Sequence, residues 1–104
     1  DIAQYKHCVQ PVKVTHPVTG RRALYVNPLI TARIEDMPDD ESRALLDELF
    51  GFTDDKSLVY EHEWRLGDVL MWDNWCSCHA RTDFPASDRR MLRRCTIKGQ
   101  PLHE

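Results

Sequence analysis

The stretch MWDNWCSCHARTDFPASDRRMLRRCTIKG, residues 71–99, concentrates groups that can bind metals or anions. Cys76, Cys78 and His79 place three soft ligands within four residues, the raw material of a small zinc site. Arg81, Arg89, Arg90, Arg93 and Arg94 supply planar cationic forks suited to carboxylates and sulfonates. Each group also has a plainer reading. A structural zinc site needs a second ligand pair at recognisable spacing, whereas Cys8 and Cys95 stand singly, so the cysteines read as small buried or edge residues. An arginine run is usually a solvated face, and an isolated His is usually a structural hydrogen-bonder. Company shifts the balance for His79: it follows Trp72-Asp73-Asn74, and Arg90 and Arg94 lie eleven and fifteen residues beyond it.

The elements that must position these groups are short. VKVT and ALYV, separated by HPVTGRR with Pro17 and Gly20, predict a hairpin. In DDESRALLDELFGF, Leu45, Leu46, Leu49 and Phe50 fall on one helical face and Asp39 to Glu41 set negative charge at its start. This predicts an amphipathic helix with Gly51 near its carboxyl end. SLVYEHEW (57–64), GDVLMWDN (67–74) and RMLRRCTIKG (90–99) read as further strands. In the last of them Arg90, Leu92, Arg94 and Thr96 share one face. Mostly short strands with one inserted helix fit an antiparallel sandwich or barrel, with too few strands to close one.

Composition narrows the class. A chain of 104 residues with 41% hydrophobic content suits one domain with a modest core. Its net charge of −3 lacks the basic excess that phosphate-backbone binding requires, which argues against nucleic acid. With no long apolar run and no signal-peptide pattern, the sequence reads as a cytoplasmic protein without membrane association, its four cysteines reduced. The polar, Met-less start reads as cut from something longer.

The ordered set Gly67-Asp68, Trp72-Asp73-Asn74, His79, Arg90 and Arg94, preceded by THPVTGRRALYVN and TARI, resembles the carboxyl-terminal third of the Fe(II)/2-oxoglutarate-dependent dioxygenases of the taurine and chlorophenoxyacetate type. The likeness runs from about Val12 to Gly99. It implies a mainly β fold with one or two inserted helices, part of a double-stranded β-helix (a cupin-like jelly roll) left incomplete in this chain. It also implies an Fe(II) ion held by two His and one carboxylate, with 2-oxoglutarate and O2 at the open positions. By this resemblance His79 matches the distal iron-ligating His, and Arg90 the partner of the far carboxylate of 2-oxoglutarate. Arg94 matches the residue that meets an anionic group of the small-molecule substrate. Ile30 falls where taurine-type members place an aromatic pocket wall, a departure from that pattern. A 2-oxoglutarate held at its keto-acid end leaves a second carboxylate that needs a fixed cation, which independently suits a guanidinium. Asp73 and Asn74 are expected to hold the turn before His79.

The remaining iron ligands of that family come as His-x-Asp or His-x-Glu, and no His here is followed by a carboxylate two positions on. Residues 1–104 are therefore expected to be the carboxyl-terminal portion of a single dioxygenase domain, inactive alone, with exposed strand edges that favour homo-oligomers. Two other readings stand beside it: a non-catalytic remnant or interaction module, and a zinc protein using Cys76, Cys78 and His79.

Overall fold

The structure is a computed structural model that describes residues 4–103. The expected hairpin forms: β1 (Lys13–Thr15) pairs antiparallel with β2 (Arg22–Leu24), with Val14 opposite Ala23. The link reverses because His16 and Arg21 close it through an N–H···O bond of 2.8 Å and Gly20 adopts φ 68°, a left-handed conformation that costs glycine little. Beyond the formal strands, Tyr25 N–H donates to the Val12 carbonyl at 2.7 Å, and Thr15 N–H donates to the carbonyl of His103 at 3.1 Å. The carboxyl-terminal end of the chain thus lies beside β1.

Helix α1 spans Asp39–Thr53. Pro38 precedes it, and Asp39, Asp40 and Glu41 complement the positive end of its dipole. The helix passes through Gly51 and ends two residues later, where Thr53 Oγ1 donates to the Phe50 carbonyl. Its buried face is narrower than the apolar spacing suggested: Leu46 is 2% exposed, Leu49 and Phe50 are half-buried, and Leu45 lies at the exposed margin. Next to Leu46 the helix buries Ser42, whose Oγ accepts the Ile34 N–H at 2.8 Å, so the loop before α1 is sewn to it through a satisfied polar group.

The three later strands expected from the sequence are not paired. Lys56–Leu58 forms a single 3-10 turn, and the rest of 57–64, together with 67–74 and 90–99, runs without a ladder. The physical reason is partnership. A strand exists by hydrogen-bonding a neighbour, and Tyr60, Val69, Met71, Met91 and Ile97 remain exposed with no opposing sheet. Arg90 and Arg94 consequently sit on chain without a ladder and do not share a sheet face. Between the first two segments a local turn is tied by Tyr60 Oη to His62 Nδ1 (3.0 Å) and His62 Nε2 to Asp68 (3.1 Å), around Gly67 at φ 90°. No described helix is long and apolar enough to cross a membrane.

Removing buried atoms tests this small core. Leu46→Ala is expected to cost about 2–4 kcal/mol, and Ser42→Ala, which orphans the Ile34 N–H, about 1–2 kcal/mol. Urea denaturation of the protein that carries this chain reads both.

Candidate metal and anion site

Each residue of Trp72-Asp73-Asn74 has a separate task. Asp73 closes the following turn: Oδ1 accepts the Trp75 N–H at 2.8 Å, and the main-chain carbonyl accepts the Ser77 N–H at 3.2 Å. Asn74 Oδ1 accepts the Trp72 indole N–H at 2.9 Å. The indole so fixed leans on the imidazole of His79, with ring centroids 4.7 Å apart. The expected turn-holding roles of Asp73 and Asn74 are therefore present, and His79 leaves the turn braced by Trp72. The His79 side chain is exposed, and among the described residues neither of its ring nitrogens is taken by a hydrogen bond.

Two ties invisible to local spacing attach this turn to the hairpin region. His16 Nε2 meets Asp73 Oδ2 at 2.7 Å across 57 positions of sequence. Asn27 Nδ2 donates to Cys78 Sγ at 2.9 Å. The second tie matters for Ile30. Asn27 heads the turn that carries Ile30, through Ile30 N–H to Asn27 O at 3.2 Å, so the structure brings the Ile30 turn and the His79 loop together. Cys78, read from sequence as a bystander, is the acceptor in that contact, and both Cys76 and Cys78 are exposed.

Arg90 lies elsewhere. Its guanidinium sits 5.4 Å from the centre of the Phe84 ring, and that of Arg81 5.1 Å from the same ring. Two cations on one aromatic repel each other until an anion joins them. Arg90 and Arg94 are exposed, and among the described residues no ion pair engages either. No hydrogen bond joins them to His79 among those residues, so the three expected site residues are displayed on one loop and one extended segment and not yet convergent.

The groups that do cluster are His16, Asp73 and Cys76, whose ligand atoms lie within 4.8 Å of one another. Hydrogen bonds already engage two of the three. His16 Nδ1 accepts the N–H groups of Val18 (3.2 Å) and Thr19 (3.1 Å), which places the ring proton on Nε2, facing Asp73. Both nitrogens are committed. His79 keeps an open imidazole, whereas the zinc set of Cys76, Cys78 and His79 is not assembled among the described residues.

Comparison with known proteins supplies the context for this arrangement. Residues 1–96 match the family model described as taurine catabolism dioxygenase TauD, TfdA family. Pentalenolactone F synthase of Streptomyces avermitilis is 43% identical over 83% of this chain and 28% of its own length. The alpha-ketoglutarate-dependent 2,4-dichlorophenoxyacetate dioxygenase of Cupriavidus pinatubonensis is 38% identical over 83% of this chain and 30% of its own. The (S)-phenoxypropionate/alpha-ketoglutarate-dioxygenase of Sphingobium herbicidovorans is 32% identical over 92% and 33%. The chain therefore spans about three-tenths of the length of the curated relatives it matches. No solved structure matches.

The hydrogen bonds from His16 and from the Trp75 amide hold the Asp73 carboxyl below the usual carboxylate range. A depressed folded pKa contributes stability that is present above the unfolded value of about 3.9 and is lost as pH falls through the folded one. The carboxyl carbon of Asp73, followed by NMR, is expected to titrate below an unperturbed aspartate. His16→Phe should move that midpoint back up.

Proposed function

The chain belongs to the taurine catabolism dioxygenase TauD, TfdA family, and from that membership we propose that the protein carrying it is a non-haem iron, 2-oxoglutarate-dependent dioxygenase, with these residues its carboxyl-terminal portion. The substrate is a small, anionic organic molecule, hydroxylated or oxidatively cleaved. The observation that carries this reading is the state of His79: it is braced by Trp72 at the end of an Asp73-closed turn with both ring nitrogens open, whereas His16 and His62 have both nitrogens engaged. Bound iron with 2-oxoglutarate supplies oxygen activation, with succinate and carbon dioxide as co-products.

The chain's own residues bind and orient. His79 gives the metal one neutral nitrogen, the other two ligands coming from outside this chain. Arg90 pairs with the far carboxylate of 2-oxoglutarate, its guanidinium steadied against the Phe84 ring. Arg94 meets the substrate's anionic group, and Ile30, on the turn stapled to the His79 loop through Asn27 and Cys78, gives an aliphatic wall. The apolar sides of 57–64, 67–74 and 90–99 have the alternation that the remaining strands of a jelly roll would cover. Two relatives are named for 2,4-dichlorophenoxyacetate and (S)-phenoxypropionate, compounds that carry a carboxylate, which supports an anionic substrate.

Removing the 2-oxoglutarate anchor separates the roles. Arg90→Ala is expected to raise the KM for 2-oxoglutarate roughly 10- to 100-fold, the loss of a charged hydrogen-bond pair. Arg94→Ala should instead raise the KM for the primary substrate, and His79→Ala should abolish Fe(II) uptake. Oxygen consumption and anaerobic Fe(II) titration read the three. An unchanged 2-oxoglutarate KM in Arg90→Ala removes that residue from its assigned role.

A further inference from the structure

We propose that His16 and Asp73 are a positioning pair, in which the hairpin turn clamps the loop that presents His79 through an imidazole fixed as its Nε2–H tautomer. The proposal rests on the functional reading above and extends it to two residues that touch neither metal nor substrate.

The tautomer is set by backbone, not by the carboxylate. The Val18 and Thr19 amides both point at Nδ1, at 3.2 and 3.1 Å, and a backbone N–H cannot become an acceptor. Nδ1 is therefore held as a lone pair, and the only proton of the neutral ring faces Asp73 Oδ2 at 2.7 Å. The His16 side chain is 13% exposed and that of Asp73 48%, so the imidazole side of the bond is shielded while the carboxylate side faces water. Its ring also meets Trp75 edge-on, with centroids 6.4 Å apart.

Asp73 converts the clamp into loop geometry. One carboxylate oxygen is spent on His16, the other on the Trp75 N–H, and its main-chain carbonyl on Ser77, both N–H and hydroxyl. Rotating Asp73 breaks the turn that joins Trp72 to His79, the imidazole resting against that indole. A carboxylate is required because both oxygens must accept. An amide at this position offers one acceptor and turns a donor toward either the imidazole N–H or the Trp75 N–H.

The test uses the intact protein that carries this chain. Anaerobic calorimetry with Fe(II) is run on wild type, His16→Phe, Asp73→Asn and His16→Gln, with thermal midpoints and the KM for 2-oxoglutarate at saturating iron. His16→Phe keeps the ring contact with Trp75 and deletes both hydrogen-bonding roles; His16→Gln retains a donor to Asp73. The expected result is Fe(II) affinity weakened roughly 10-fold in His16→Phe and Asp73→Asn, restored largely in His16→Gln, with the 2-oxoglutarate KM within about twofold. In metal-free wild type, 15N NMR is expected to show a protonated Nε2 and an unprotonated Nδ1 at His16. Should His16→Phe fail to fold, Asp73→Asn carries the same comparison. A lowered thermal midpoint with unchanged Fe(II) affinity overturns the positioning role, as does a proton on Nδ1. Wild-type protein that takes up no Fe(II) refutes the functional reading and this role together, whereas Fe(II) held equally by wild type and variants refutes the positioning role alone.

Discussion

The hydrogen bond between His16 and Asp73 is the constraint that, with the Asn27–Cys78 and Thr15–His103 bonds beside it, gives the two halves of the chain one geometry. It joins residues 57 positions apart, and the elements around it are otherwise local: a hairpin of two three-residue strands, one helix and a set of tight turns. The bond gains from its surroundings. His16 has given its other nitrogen to two turn amides, so its orientation is inherited from the hairpin, and Asp73 has given its other oxygen to the next turn. Orientation set at β1–β2 is thereby transmitted to the loop that ends at His79. Around it the Trp75 ring contacts His16 and His103, which brings the end of the described chain to the same point.

A division of labour within Trp72-Asp73-Asn74 follows. The aspartate binds outward to the hairpin, the asparagine binds inward to the indole, and the indole supports an imidazole whose nitrogens stay open. The structure thus separates histidines by what their nitrogens are already doing. His16, His62 and His79 are chemically identical side chains; the first two have both ring nitrogens in hydrogen bonds, whereas those of His79 stay open among the described residues, which is the state a metal ligand needs.

Much of this was legible in the residues themselves. The hairpin could be read because Gly20 and Pro17 punctuate two β-prone runs, and the helix because its apolar spacing and acidic first turn agree. Belonging to the dioxygenase family was legible from the ordered set ending in Arg90 and Arg94. The partners of Asp73 and Cys78 were not, because a histidine or asparagine inside a hairpin segment carries no mark of the distant loop it will bond. His16 and Asn27 do stand within THPVTGRRALYVN, which is the one signal that could have pointed to them. Strand status at 57–64, 67–74 and 90–99 was misjudged for a different reason: alternation describes a face, and a ladder needs a second strand to meet it.

The span of the His16–Asp73 tie also orders events in time. Hairpin and helix close over short loops and can form within microseconds, whereas a contact across 57 residues must first overcome a larger loop-closure entropy. Nothing local holds Asp73 opposite His16 before the hairpin exists to receive it. The turn before His79 can close on its own local bonds, but its docking onto the hairpin has to wait for the hairpin that receives it.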